Sequence, residues 1–247
     1  MKQYKVAIIG NGMICNAAHI PAYKAMGDKV KIVAVADIRE EAAKETAERH
    51  GIPKYYVDPY KMLEEEKPDI ISVCTPNAYH KEYTLAGFRA GCHVVCEKPV
   101  AVTCADAEEM FNAAEKAGKH LFVIQSLRFT GNFKAAAGLA KSGCLGDIYY
   151  ADLNLVRRRG VPRWGMFHMA KENVGGAFCD LGVHMCDYLM SISGNPKMVS
   201  VSGSAVTRIV NKEKNIEFSN AESGAPTGLF TPRKFDMKEF DVEEFAN

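Results

Sequence analysis

The chain has 247 residues, 47% of them hydrophobic and 25% charged, a composition that allows one large or two ordinary globular domains with a sizeable core. Its 31 basic and 30 acidic residues leave a formal net charge of +1, which argues against a nucleic acid or a membrane surface held by bulk charge. No apolar run is long enough to span a bilayer, and the first apolar strand starts so close to Met1 that no signal peptide is expected, so the expected location is the cytoplasm.

The first predicted element, Val6-Ala7-Ile8-Ile9, is a short unbroken apolar run of the kind that forms a parallel strand covered on both faces. Gly10 and Gly12 follow at once, at a turn where glycine permits positive φ and lets an anion approach a bare backbone. A helix is expected to open at Met13 and Ile14, with its unpaired N–H groups and positive dipole end facing a pyrophosphate. Taken alone, Gly10 to Cys15 is equally an ordinary strand-to-helix turn, because Cys15 stands where the dinucleotide fingerprint takes Gly or Ala. The second strand, VKIVAVAD over 30–37, shifts the balance: Asp37 closes it about twenty residues past the turn, where such folds hold the ribose hydroxyls. Ile38 and Arg39 belong to the same candidate ribose site. Asp37 favours NAD, since its charge repels a 2′-phosphate, and Arg39 keeps NADP open.

A polar helix over 40–50 is closed by Gly51, and Asp58 with Pro59 reads as the N-cap and first residue of a helix over 60–66. The strand 69–75 stops at Pro76, a helix over 80–90 ends at Gly91, and the strand 93–96 runs into Glu97-Lys98-Pro99. Thr103 caps a helix over 104–117 whose Ala107, Met110, Phe111, Ala114 and Ala117 share one face. With 120–125 taken as the last strand, residues 1–125 are expected to form a doubly wound domain with a parallel sheet and right-handed crossovers. Over 126–247 the pattern changes. Helices are expected at 132–142 and 176–191, and long strands at 147–159 and 197–209, giving an α+β domain with an open, mainly antiparallel sheet. Residues 211–232, rich in Asn, Ser, Gly and Pro, read as a loop. The eight cysteines form no CxxC pair and several lie in apolar strand or helix patterns, so they are expected to be reduced core residues.

Three constellations carry candidate chemistry. Lys98 lies just past the carboxyl end of a strand, where ligands of open α/β sheets bind and where an ammonium can donate to a substrate oxygen; a solvated lysine at a turn stiffened by Pro99 is the alternative. Thr75, Asn77 and His80 follow the preceding strand and are candidates to line the cofactor groove, although plain turn chemistry explains the same residues. Asp180 and His184 stand four apart on a mostly apolar predicted helix, so that a carboxylate orients a histidine able to take a hydroxyl proton. A buried structural pair and a metal site compete with that assignment. The helix points Cys179 and Cys186 away from His184, which argues against the metal. Trp164 with Arg157, Arg158, Arg159 and Arg163 either covers a site entrance or marks a solvated strand end.

In order along the chain, the glycine turn followed by Ala18-His19-Ile20-Pro21-Ala22, then Thr75-Pro76-Asn77 with His80, then Glu97-Lys98-Pro99, then Gly176 through Asp180, Gly182, His184 and Asp187 resemble the motifs of the Gfo/Idh/MocA family, the relatives of glucose-fructose oxidoreductase and inositol dehydrogenase. The resemblance implies a nicotinamide-dependent dehydrogenase of sugars or polyols, with NAD or NADP as cofactor. In it Lys98 hydrogen-bonds the reacting oxygen, His184 acts as acid/base, and Asp180 binds substrate and positions that histidine. Glu97 and Lys98 are then expected beside the cofactor as well. Two other classes remain: a glycosidase of the same fold that uses NAD transiently, and a non-catalytic nucleotide-binding module. The family resemblance also implies more C-terminal sheet than this chain carries; 240–245 looks like the lead-in to a further strand, so the second domain is expected to be truncated and its oligomer-forming sheet incomplete.

Overall fold

The computed structural model describes residues 2–155 and 171–206. Six strands, β1 (Tyr4–Ile9), β2 (Val30–Ala36), β3 (Tyr55–Tyr56), β4 (Ile70–Val73), β5 (His93–Glu97) and β6 (Leu121–Ile124), form one parallel sheet in the order β3-β2-β1-β4-β5-β6. The helices α1 (Ile20–Ala25), α2 (Glu40–His50), α3 (Pro59–Glu66), α4 (His80–Arg89) and α5 (Cys104–Lys116) connect these strands. This is the doubly wound order, in which the strand sequence reverses between β1 and β4 and opens a crevice at their carboxyl ends.

The continuous apolar character of the strands follows from burial on both faces. Along β1, Val6 and Ile8 pack into one core cluster with Cys15, Ile20 and Val35. Ala7 and Ile9 pack into the other with Ala34, Val73, Val94 and Met110. Alternate residues of one strand therefore feed two cores, and no position along its centre is left for a polar side chain. Element ends obey local chemistry. The Asp58 carboxylate accepts from the N–H of Tyr60 at 2.8 Å, Thr103 Oγ1 accepts from Asp106 N–H at 3.1 Å, and Gly51 closes α2 at φ +63°.

The sequence reading passes over β3, whose two residues are too few to show a period. After β6, α6 (Gly131–Lys141) and α7 (Val183–Ile192) pack together, with the Phe133 and Tyr188 rings edge-on at 4.1 Å between centroids. The expected long strands are corrected for the part that is described: 147–155 and 197–206 carry no strand ladder. Alternating apolar residues make a strand only when a neighbour takes up the backbone N–H and C=O groups, and no described segment runs beside these two. Their side chains are accordingly open, Tyr149 at 97% and Val199 at 94% exposure. Residues 156–159 and 207–209 of those strands, the Arg157 to Trp164 cluster, and the segments 211–232 and 240–245 lie outside the described residues. All eight cysteines are free; Cys15, Cys74, Cys92 and Cys96 are buried in the core as expected, whereas Cys104, Cys144 and Cys186 are exposed. Among the described residues no helix is long and apolar enough to cross a membrane.

Candidate active site

The crevice is built from the carboxyl ends of β1, β2, β4 and β5. At the end of β1 the chain turns through Gly10 at φ +91°, where a Cβ would stand 2.7 Å from the main chain of Cys74 and Thr75. Only glycine lets β1 pass this close to the end of β4. At Gly12 nothing lies within 4 Å of the Cβ position, which leaves the bare surface that a pyrophosphate needs. Met13 and Ile14 follow in helical conformation, and a π turn (Cys15–His19) leads into α1. Between the glycines, Asn11 is buried, and both polar atoms of its side chain lack a partner among the described residues. Its N–H donates to Asp37 Oδ2 at 2.8 Å, tying the turn to the end of β2. Asp37 Oδ1 accepts from Arg39 N at 2.9 Å and from Arg39 Nε at 3.3 Å, while Ile38 is exposed. A glycine turn with open space beside it, an orphaned buried amide and a carboxylate held at the strand end together fit a dinucleotide.

At the end of β5, Glu97 is buried against His19, with Oε1 2.9 Å from His19 Nε2. His19 Nδ1 lies 3.3 Å from Ser72 Oγ, which in turn lies 2.7 Å from the Tyr23 hydroxyl. Burial pushes the Tyr23 phenol up to about 12, so it stays protonated as a member of this chain of hydrogen bonds. Glu97 Oε2 accepts from the N–H of Lys98 at 3.2 Å. The helix after the glycine turn thus reaches the backbone of Lys98 through buried polar contacts. His19 carried only motif value in the sequence; the contact joins residues 78 apart and has no local signature.

Lys98 precedes Pro99 through a cis peptide, and its Nζ donates at 2.9 Å both to the Asp180 main-chain oxygen and to Asp180 Oδ1. Asp180 lies in a π turn (Phe178–Gly182) that runs into α7, and His184 follows in the first turn of that helix. Both are buried, and His184 Nδ1 has no partner among the described residues. Burial and, next, the Lys98 ammonium hold the His184 imidazole below its ordinary pKa, against the opposing pull of Asp180, Glu97 and Asp187. The ring is therefore neutral near pH 7, the form that accepts a proton.

Thr75, Asn77 and His80 are placed at the end of β4, as expected. Thr75 Oγ1 is buried without a partner among the described residues. His80 spends both ring nitrogens on main-chain oxygens, Nδ1 at 2.7 Å from Pro99 O and Nε2 at 2.9 Å from Thr75 O. Burial holds its pKa below the ordinary value even though the two carbonyls pull it upward. Asn77 is committed to the main chain of Val174, with Nδ2 donating to Val174 O and Oδ1 accepting from Val174 N, each at 2.9 Å.

Comparison with known proteins identifies the family of the chain. The pattern described as an oxidoreductase family with an NAD-binding Rossmann fold matches residues 4–125, and the GFO/IDH/MocA C-terminal domain matches 133–224. The D-glucoside 3-dehydrogenase of Escherichia coli K12 is 40% identical over 245 residues, covering 98% of this chain and 67% of that protein. The myo-inositol 2-dehydrogenase of Thermotoga maritima is 30% identical, covering 77% of this chain and 55% of that protein. Among solved structures, the WlbA dehydrogenase of Chromobacterium violaceum in complex with NADH and UDP-GlcNAcA superposes with a TM-score of 0.70 at 29% identity, covering 78% of this chain and 56% of that one. The chain spans about two thirds of the first of these relatives and little more than half of the others. From its glycine turn to the helix that bears His184, the chain belongs to the Gfo/Idh/MocA family of NAD-binding oxidoreductases.

Proposed function

We propose that the protein oxidises a secondary ring hydroxyl of a sugar or polyol, with NAD as the cofactor, and that Lys98, Asp180 and His184 are its catalytic residues. The observation that carries this reading is the convergence of an ammonium, a carboxylate and a neutral buried imidazole at the carboxyl end of β5, next to the glycine turn of β1. NAD, when bound, supplies the hydride acceptor. Gly10, Gly12, Met13 and Ile14 line the pyrophosphate side, Asp37 with Ile38 and Arg39 the ribose side, and Thr75 and Glu97 the end nearer Lys98.

The chemistry of the chain's own residues is then simple. The substrate hydroxyl sits between Lys98 Nζ and His184, the ammonium stabilises negative charge as it grows on the oxygen, and the neutral imidazole takes the hydroxyl proton. Asp180 holds the ammonium in place and offsets the positive charge that His184 acquires. In this division of labour residues 1–125 hold the cofactor and residues 126–247 the substrate. Relatives named for a D-glucoside and for myo-inositol support a sugar or polyol as the substrate. Asp37, already accepting from Asn11 and Arg39, offers carboxylate oxygens to ribose hydroxyls and repulsion to a 2′-phosphate, which favours NAD over NADP.

The test is a panel of glycosides, inositols and open-chain polyols with NAD or NADP, read as reduced cofactor at 340 nm. Net NADH from a ring alcohol, with NADP slower, is the expected result. Glycoside cleavage without net NADH would replace the dehydrogenase by a glycosidase, and cofactor binding with no turnover across the panel would overturn both.

A further inference from the structure

We infer that Asn77 is a positioning residue: its side chain latches the segment entering the Asp180 and His184 helix onto the turn after β4, and so sets that helix against Lys98. The inference rests on the roles proposed for Lys98, Asp180 and His184, and gives Asn77 a task other than cofactor binding.

The geometry is that of a strand pairing made by a single side chain. The Asn77 amide accepts from Val174 N–H and donates to Val174 O, both at 2.9 Å, and Nδ2 also reaches Asn173 Oδ1 at 3.3 Å. Because one partner is a donor and the other an acceptor, the orientation of the amide is determined. Next to it, Ala78 N–H donates to Glu172 O at 3.3 Å. Asn77 is 5% exposed, so these bonds form where water does not compete for them.

The place of the latch explains its purpose. Directly after Val174 come Gly175 at φ +85° and Gly176 at φ +55°, a pair whose conformations do not set the direction of the following helix by side-chain sterics. The middle of that helix is held separately, by the paired bonds from Arg128 to Asp187 at 2.7 and 2.5 Å and by the contact of Phe133 with Tyr188. Asp180 and His184 lie between the two anchors. Releasing the near one leaves the Ala78 bond to Glu172 and the Lys98 contacts with Asp180 to draw this end of the helix to the sheet, and removes the two bonds that fix Val174 itself.

The experiment compares wild type with Asn77→Ala and with Asn77→Asp, which keeps the acceptor for Val174 N–H and loses both donated bonds. Four quantities are read: amide exchange at Val174, the titration midpoint of the His184 ring protons, the Kd for NAD, and kcat with KM. His184 faces Lys98, Asp180, Glu97 and Asp187, and its midpoint reports whether the burial and the Lys98 contact persist. Expected in Asn77→Ala are Val174 exchange faster by about tenfold or more, a His184 midpoint moved up toward 6.5, kcat lower by about tenfold, and NAD Kd within twofold of wild type. Asn77→Asp should be at least as impaired as Asn77→Ala, because it turns a carboxylate oxygen toward two acceptors, Val174 O and Asn173 Oδ1. A raised NAD Kd with Val174 exchange unchanged would make Asn77 a cofactor ligand and overturn the latch. Faster exchange with the His184 midpoint and kcat unchanged would reduce it to a structural contact and overturn the positioning role. Exchange and titration need no turnover, so they judge the latch even if the redox reading fails.

Discussion

Lys98 Nζ stands 2.9 Å from both the main-chain oxygen and Oδ1 of Asp180, and so pins a helix 82 residues away in the chain to the end of β5. One turn on, His184 is held neutral by burial and by this same ammonium. Its folded pKa lies below the ordinary value of 6.5, so between the two values the unfolded chain binds more protons. The stability contributed by the neutral ring is therefore present above pH 6.5 and lost as pH falls through the folded value. Ring-proton NMR should show a His184 midpoint below 6.5. Lys98→Met should move it up, by removing a cation, and Asp180→Asn should move it further down, by removing an anion. An unmoved midpoint in both variants would mean that neither group faces the ring.

Gly10 and Gly12 make separable predictions. At Gly10 a methyl group meets the backbone of Cys74 and Thr75 at 2.7 Å under a positive φ, so Gly10→Ala should fail to fold or lose several kcal/mol, about 3 or more. At Gly12 the same methyl meets nothing within 4 Å. Gly12→Ala should keep the wild-type unfolding temperature and weaken NAD binding by about tenfold or more, because the methyl occupies the space kept for the pyrophosphate. Thermal unfolding with and without NAD separates the two effects. Unchanged NAD affinity in Gly12→Ala would place the pyrophosphate elsewhere.

The pairing of His19 with Glu97 is buried on both sides. His19→Leu strands a carboxylate oxygen in the core and should cost about 3 kcal/mol of stability. Replacing both partners, His19→Leu with Glu97→Leu, should recover part of that loss, because no charge is then left unpaired. Denaturant unfolding of the two variants decides it. A single variant as stable as wild type would show that the pair is not maintained in solution.

How much of this was legible in the sequence depends on how local the cause is. Glu40–His50 was readable end to end because charge at its start, a polar face and Gly51 at its end act within a few residues. Lys98, Asp180 and His184 were readable as candidates because each sits in a motif at the end of an element. Their meeting was implied by the family resemblance alone, since it depends on a chain reversal outside any window of periodicity. The contacts of Asn77 with Val174, 97 residues apart, and of His19 with Glu97 are as distant along the chain and were not expected at all. The alternation at 197–206 carries no ladder among the described residues because it records side-chain preference, while a strand also needs a neighbour for its backbone.

The central claim is that Lys98 faces the reacting oxygen and takes no part in holding the cofactor. Lys98→Met keeps most of the side-chain volume and removes the ammonium, and its kcat on a ring-alcohol substrate is measured together with its NAD Kd by fluorescence titration. The account predicts a fall in kcat of about 10²-fold or more with NAD affinity within about twofold of wild type. Wild-type turnover in this variant would contradict it.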